Sequence, residues 1–161
     1  MTIKVGDRLP EANLKQMTAE GIKDISLGDL TRGKKVVLFA VPGAFTPTCS
    51  ERHLPGFLEQ AEALKAKGVD TIACIAVNDP FVLNAWDKAT NASGRVQILS
   101  DGNADLTKAL GLDFDGSGFG LGTRSKRYAM VVEDGVVKTL LVEDVPSQAE
   151  KSSASAILAT L

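Results

Sequence analysis

Apolar residues recur with two different spacings along this chain, and the spacings predict strands and helices in turn. The run at 35–41 is apolar, rich in β-branched residues and short enough for a buried strand. Residues 53–67 carry a helical stripe of apolar side chains, namely Leu54, Phe57, Leu58, Ala61 and Leu64. The stretch 41–51 between the two runs is therefore a strand-to-helix turn, and α/β sheets place their chemistry at such strand ends.

The pattern continues on both sides of this unit. It predicts two short strands at 12–17 and 22–25, then a capped turn at 26–30. Further strands are expected at 71–77, 95–99, 127–132 and 136–142, and helices from Pro80, over 104–110 and over 152–161. The helix from Pro80 is predicted to bury Phe81, Val82, Ala85 and Trp86.

This order of elements predicts an α/β protein with a thioredoxin-like fold, in which a central mixed β-sheet carries helices on both faces. At 161 residues the chain is expected to form a single domain, 1–161. A loop at 115–122 contains many glycines, but no helical pattern follows it, so a phosphate-binding role is not favoured.

Composition narrows the functional class. A net charge of -2 gives no reason to expect nucleic acid or an anionic membrane as a partner, and no apolar run reaches the length of a membrane span. Two cysteines are too few for a secreted disulfide framework, and the first residues lack the character of a targeting segment, so we expect a cytoplasmic protein. One histidine and two distant cysteines form no recognisable metal site, and no cofactor is expected.

The turn itself carries candidate chemistry. Thr48 and Glu51 have the spacing of a capping box, which would make Cys49 the first residue of a helix over 48–67. A thiol at that place is stabilised as a thiolate by the helix dipole and by free backbone amides. The amides of Thr48 and Cys49 and the Thr46 hydroxyl are candidate donors to a small polar ligand, whereas Pro42 lacks a donor and stiffens the loop. The alternative is that Cys49 is a buried small hydrophobe.

Three motifs in this order resemble a known family. Residues 42–49, with the pattern Pro-x-x-x-Thr-x-x-Cys, resemble the active-site signature of the peroxiredoxins. The longer segment 41–57 resembles the type II subfamily, which includes the fifth animal peroxiredoxin and the plant type II enzymes. Segments 74–81 and 120–125 extend the resemblance over nearly the whole chain. It implies a thioredoxin-like fold and a thiol-dependent peroxidase that reduces hydrogen peroxide and alkyl hydroperoxides.

The resemblance also assigns roles to residues. Cys49 would attack peroxide and become a sulfenic acid, with Thr46 and a guanidinium as donors and Pro42 shielding the sulfur. Spacing alone does not choose among the lysines and arginines that follow position 95, and Arg124 by itself reads as a surface charge. The resemblance matches Arg124 to the arginine that contacts both thiolate and peroxide.

Two further residues leave alternatives open. His53 lies four residues after Cys49, as in a cysteine–histidine pair, but helical side chains lean toward the N-terminus, so a general-base role is not favoured. Cys74 matches the second cysteine of plant type II relatives and could resolve the sulfenic acid. It lies in the middle of a buried strand, however, and a disulfide needs Cα atoms within about 7 Å, so a structural role is preferred.

The resolving step therefore points to an external thiol. The animal relative carries its resolving cysteine near the C-terminus, and residues 144–161 contain no cysteine. We expect glutathione with glutaredoxin, or thioredoxin, to be the reductant. The resemblance also implies a homodimer, with Phe45 and the region 114–119 as candidate contacts, although core roles for these residues are equally open.

Two competing functions follow from the same residues. A thiol–disulfide oxidoreductase would need a Cys-x-x-Cys pair, whereas Cys49 is followed by Ser50, Glu51 and Arg52. A non-enzymatic dimerising or redox-sensing module would need neither a tuned thiolate nor Arg124.

Overall fold

The computed structural model describes residues 2–145 and 147–161. The strands are β1 (Asn13–Thr18), β2 (Gly21–Ser26), β3 (Lys35–Val41), β4 (Thr71–Ala76), β5 (Gln97–Ser100), β6 (Asp113–Asp115), β7 (Thr123–Ser125), β8 (Tyr128–Glu133) and β9 (Val136–Val142). The helices are α1 (Leu27–Thr31), α2 (Leu54–Ala66), α3 (Pro80–Thr90), α4 (Asp105–Leu110) and α5 (Ala154–Leu158). A π turn at Cys49–His53 precedes α2, and a 3-10 turn occupies Ser117–Phe119.

Seven of these strands form one sheet in the order β2-β1-β5-β4-β3-β8-β9. β3, β4 and β5 run parallel to one another, and the remaining neighbours are antiparallel. The sheet is mixed and thioredoxin-like, as the element order predicts. β3 lies in its interior, hydrogen-bonded to β4 on one side and to β8 on the other, so its end is held in a fixed place.

Helices cover both faces of the sheet, which confirms the predicted layering. Alternate residues of β3 enter two separate apolar clusters, because successive side chains of a strand point to opposite faces. Val37, Phe39 and Val41 pack with residues of α2, α3 and α5. The residues between them, at 36, 38 and 40, pack with residues of α1 and α4. Among the described helices, none offers the length of apolar surface that crossing a bilayer requires.

The stripe predicted for α3 is wrong in three of its four positions. Leu83 and Trp86 are the buried residues of this helix, and they lie one turn apart on the side that faces the sheet. Phe81 is 63% exposed and Val82 is 36% exposed, and Ala85 is also exposed. The predicted start of the helix at Pro80 is confirmed, and Asp79 caps it by accepting from the Val82 amide, but the predicted buried face includes residues that face outward.

The glycine-rich loop is more ordered than its composition predicts. β6 and β7 pair as a short antiparallel ribbon around residues 116–122. The Gly116 amide donates to the Gly122 carbonyl at 2.7 Å, which closes the loop. A Cβ atom on Gly116 would lie 2.9 Å from the Leu121 Cβ, so glycine is required there by close packing.

Candidate active site

The turn that follows β3 holds the candidate catalytic residues. Pro42 and Cys49 are buried, Cys49 with 0% of its surface exposed, and Thr46 is half-buried between them. The amide of Ala44 donates to the Asn78 side-chain oxygen at 2.9 Å, which ties the turn to the segment that follows β4. The turn is therefore anchored to two adjacent parallel strands at their carboxyl ends.

The helix after the turn begins earlier than the capping-box pattern predicts. Thr48 already has helical dihedral angles, φ -64° and ψ -38°, and its side chain makes no capping bond. Its hydroxyl instead donates to the Ser147 carbonyl at 3.0 Å. The Ser50 amide donates to the Thr46 carbonyl at 3.0 Å, a bond over four residues. The amides of Thr48 and Cys49 precede that bond and have no acceptor within the helix, as the first amides of any helix do.

The first part of this helix is wider than an α-helix. Cys49–His53 form a π turn in which the Leu54 amide donates to the Cys49 carbonyl, five residues back. Pro55 cannot donate to the Glu51 carbonyl, so it would interrupt the hydrogen bonding of a regular α-helix at this position. In the structure the π turn lengthens the hydrogen-bond spacing to five residues just before Pro55, and the helix continues through it as α2.

A guanidinium contacts the sulfur of Cys49. The Nη2 atom of Arg127 donates to Cys49 Sγ at 2.9 Å, and Arg127 is itself buried with 2% of its surface exposed. A positive charge that donates a hydrogen bond to sulfur favours the thiolate over the thiol, because the charge interacts only with the ionised form. Burial strengthens this interaction, since little water lies between the two groups.

The assignment of the sulfur contact to Arg124 is therefore wrong. Arg124 donates through Nη1 to the Pro42 carbonyl at 3.0 Å and through Nε to the Leu121 carbonyl at 3.0 Å. Arg124 thus links the turn after β3 to the glycine-rich loop through one hydrogen bond to each. Gly43 makes room for it, because a Cβ atom at that position would lie 2.5 Å from Arg124 Nη1.

Sequence reasoning missed Arg127, although one signal pointed to it. β8 is antiparallel to β3, and Tyr128 is the register partner of Ala40 near the end of β3. Arg127, directly before β8, must therefore lie beside the residues that directly follow β3. Arg127 was the first residue of the strand predicted at 127–132, so the choice between Arg124 and Arg127 required only the knowledge that these two strands pair.

The Thr46 hydroxyl has a hydrogen-bond partner within the turn. Its proton is donated to the Gly43 carbonyl at 2.6 Å. The lone pairs of the oxygen then remain for a ligand, so Thr46 offers an acceptor rather than the donor that the sequence suggested. A hydroperoxide carries one O–H group that such an acceptor can orient.

His53 supports Arg127 and does not serve Cys49 as a base. The Nη1 atom of Arg127 lies 3.0 Å from His53 Nδ1, and a guanidinium can only donate, so His53 accepts through that atom. Burial and the adjacent positive charge of Arg127 lower the pKa of His53 from 6.5 to about 4. The imidazole is neutral at pH 7, but its Nδ1 lone pair is taken by Arg127 and a pKa of about 4 makes it a weak base, so a general-base role for His53 is not supported.

Cys74 lies in the interior of the molecule. It is fully buried in β4, opposite Phe39 of β3, and its thiol is free. Burial, and secondly the nearby Cys49, raise the pKa of Cys74 well above the ordinary thiol value. Its thiol stays protonated at neutral pH and is a poor nucleophile.

The arrangement combines a buried sulfur, a guanidinium that donates to it and a threonine hydroxyl with free lone pairs in the same turn. Within residues 2–145 and 147–161, no group of three or more His, Cys, Asp or Glu side chains is placed to hold a metal ion. Fold and site together define a thioredoxin-fold protein whose chemistry is that of an activated thiol.

Comparison with known proteins agrees with this class. The Redoxin family model matches residues 4–158. A chloroplastic peroxiredoxin-2E-2 of Oryza sativa subsp. japonica is 55% identical over 148 residues, which are 89% of this chain and 66% of that protein. A peroxiredoxin-2C of the same plant is 50% identical over 88% of both chains. The reduced Prx3 of Vibrio vulnificus, solved in complex with H2O2, is 55% identical, with a TM-score of 0.93 over 99% of both chains.

This chain belongs to the peroxiredoxins, within the Redoxin family, and its plant relatives are type II members. Peroxiredoxins are thiol-dependent peroxidases that act through a peroxidatic cysteine. The chain spans just under two thirds of the length of the chloroplastic peroxiredoxin-2E-2.

Proposed function

We propose that this chain reduces hydrogen peroxide and alkyl hydroperoxides with Cys49 as the peroxidatic nucleophile. The observation that carries the proposal is the 2.9 Å hydrogen bond from Arg127 Nη2 to Cys49 Sγ at the end of a central strand. The similar protein from Vibrio vulnificus, whose structure is described as a complex with H2O2, supports peroxide as the substrate class.

The reaction follows from the charges at the site. The Cys49 thiolate attacks one peroxide oxygen, an S–O bond forms and the O–O bond breaks. The leaving oxygen takes a proton and departs as water or an alcohol, and the sulfur becomes a sulfenic acid. The Arg127 guanidinium stabilises the thiolate and the negative charge that develops on the leaving oxygen, together with the free amides of Thr48 and Cys49. Thr46 would accept the peroxide O–H and hold the substrate in line.

A direct test is peroxide consumption by the intact protein and by the Cys49→Ser variant, with dithiothreitol as reductant. The intact protein should consume peroxide with multiple turnovers, and the variant should match buffer alone. Equal rates in the two samples would exclude Cys49 as the nucleophile and favour a binding or sensing module.

We further propose that an external thiol reduces the sulfenic acid, supplied by glutathione with glutaredoxin or by thioredoxin. The burial of Cys74 and its raised pKa support a structural role for this residue rather than a resolving one. Such reductants are kept reduced in the cytoplasm, which we retain as the proposed location.

The resolving step is tested with the Cys74→Ser variant, peroxide and each reductant in turn. Turnover at the rate of the intact protein with at least one reductant is the expected result. Loss of turnover with all of them, in a variant that still forms the sulfenic acid, would make Cys74 an obligatory resolving residue.

We also propose a homodimer that meets through loops around the active turn. Three exposed aromatic residues support this: Phe45, Phe81 and Phe119, with 55%, 63% and 86% of their surfaces exposed. Phe45 also has a positive φ of 62°, a costly conformation for a residue with a side chain. Exposed large apolar side chains are typical of interaction sites when they share a surface.

Light scattering on the Phe45→Ser and Phe81→Ser variants tests this surface. We expect both to shift the molecule toward the monomer. Val5→Ser is a matched control, because Val5 is also exposed, at 57%, but lies near the N-terminus. A dimer that survives both loop substitutions would place the interface elsewhere.

A further inference from the structure

The histidine beneath the active site has both ring nitrogens engaged. Nδ1 of His53 faces Arg127 Nη1, as described above. Nε2 lies 2.9 Å from the carbonyl oxygen of Ser152 and 3.3 Å from the Ser152 hydroxyl oxygen. The position of the single imidazole proton therefore decides whether His53 can accept a hydrogen bond from Arg127.

Glu143 controls how Ser152 presents its oxygens. Both the amide and the hydroxyl of Ser152 donate to Oε2 of Glu143, each at 2.6 Å. Ser152 is fully buried and Glu143 is 6% exposed. Burial raises the pKa of Glu143, but hydrogen bonds from Ser152 and from the Lys151 backbone outweigh it and lower the pKa on balance, so the side chain is a carboxylate.

These contacts determine where the protons of Ser152 and His53 lie. The Ser152 carbonyl oxygen can only accept, and because the Ser152 hydroxyl proton goes to Glu143, the hydroxyl oxygen near His53 also accepts. The imidazole proton is thereby held on Nε2, and Nδ1 keeps the lone pair that receives Arg127. The opposite tautomer would set an N–H against the guanidinium and force Arg127 to move away from the sulfur.

We propose that Glu143 and Ser152 are positioning residues for the peroxide reaction: they hold His53 in its Nε2–H tautomer and thereby keep Arg127 against Cys49 Sγ. The inference rests on the peroxidase function of Cys49. It extends the site by a segment that lies far away in sequence, since Ser152 and His53 are separated by 99 residues.

The tautomer can be read directly, because the chain contains one histidine. Long-range ¹H–¹⁵N NMR spectra at pH 7 should show one protonated and one unprotonated imidazole nitrogen, with the proton on Nε2. In the Glu143→Ala variant the Ser152 amide and hydroxyl lose their acceptor, the Ser152 carbonyl is no longer held against Nε2, and a mixture of tautomers is expected. The Glu143→Gln variant retains an acceptor oxygen for Ser152 and should restore the Nε2–H form.

The rate of Cys49 oxidation provides a second readout. Trp86 is the sole tryptophan, and its Nε1 donates to Ser50 Oγ at 3.0 Å, next to Cys49, so its fluorescence can report oxidation in a stopped-flow experiment. We expect Glu143→Ala to slow oxidation about tenfold, which is the effect of one buried hydrogen bond on the barrier. Glu143→Gln should recover most of the rate.

Two further variants separate positioning from folding. Glu150→Ala removes an exposed glutamate of the same segment and should leave both the tautomer and the rate unchanged. Ser152→Ala removes the hydroxyl but keeps the backbone, so it should retain the fold and give a smaller change of the same kind. The proposal is wrong if Glu143→Ala shows only the Nε2–H tautomer and oxidises Cys49 at the rate of the intact protein. If Glu143→Ala does not fold, the same result in Ser152→Ala overturns the proposal. If the intact protein does not consume peroxide but the variants still change the tautomer of His53, the peroxidase function alone is contradicted.

Discussion

The two cysteines of this chain share an environment and differ in their partners. Cys49 and Cys74 are both fully buried and belong to the same apolar cluster. Cys74 sits within β4, where burial raises the pKa of its thiol. Cys49 sits where β3 has ended and a helix begins, and it receives a hydrogen bond from Arg127.

The two buried cysteines therefore differ in the neighbours of the sulfur rather than in burial. Taking a cysteine out of water disfavours the thiolate, and only a compensating charge or hydrogen-bond donor reverses the effect. Strand interiors have no free donors because their amides are paired in the sheet, whereas a helix start has several. A reactive cysteine in this fold is therefore one that lies just beyond a strand rather than within it.

The largest effect should come from removing the guanidinium that donates a hydrogen bond to Cys49. Arg127→Met keeps the length of the side chain but loses its donors, so Cys49 would be left in a setting like that of Cys74. We expect the second-order rate of Cys49 oxidation by peroxide to fall on the order of 10²- to 10³-fold, as when a preorganised donor is lost. A rate within about twofold of the intact protein would show that Arg127 does not act on the sulfur.

Acid should weaken the same arrangement through His53. The pKa of His53 is about 4 in the folded protein against 6.5 in the unfolded chain, so between these values the unfolded chain binds more protons. Stability is therefore lost as pH falls from about 6.5 to 4, by about 3 kcal/mol from this group. Urea unfolding at pH 7 and at pH 4.5 measures this loss. The His53→Gln variant should lack this component, and an equal pH dependence in both proteins would contradict the assignment.

A smaller effect is expected at Cys74, and on stability rather than on catalysis. Cys74→Ser places a hydroxyl among apolar side chains, which should lower the free energy of unfolding by about 2 kcal/mol. The rate of peroxide reaction should stay within about twofold of the intact protein. Cys74→Ala is the matched control for the lost sulfur, and a large loss of rate in both variants would give Cys74 a chemical role.

The smallest effect should come from Arg124, which braces the turn without touching the sulfur. Arg124→Met loses the bond to the Pro42 carbonyl and should slow Cys49 oxidation by less than about tenfold. Measured beside Arg127→Met, it compares two arginines three positions apart. A loss at Arg124 as large as that at Arg127 would return Arg124 to the role that the sequence first suggested.

The fold was largely readable from the sequence because its signals are local. The apolar run of β3, the hairpin of β1 and β2 and the start of α3 at Pro80 each depend on neighbouring residues. The outward face of α3 was not readable, because Phe81 and Val82 are as apolar as core residues. An aromatic residue meant for an interface and one meant for the core look the same in a single sequence.

The site was readable only in part for the same reason. The position of Cys49 follows from the strand and helix on either side of it, which are local features. The contacts of Arg127 with Cys49 and of His53 with Ser152 join residues that are 78 and 99 positions apart. Such contacts depend on which strands pair and on where the C-terminal segment returns, and spacing in the sequence carries no information on either.

The interior position of β3 has a consequence for how such an enzyme can diversify. Pairing on both sides fixes this strand, while Phe45, Phe81 and Phe119 come from segments outside the sheet. Substitutions in those exposed segments can change the surface of the molecule without disturbing strand pairing. The frame that holds Cys49 can therefore be inherited unchanged while that surface diverges.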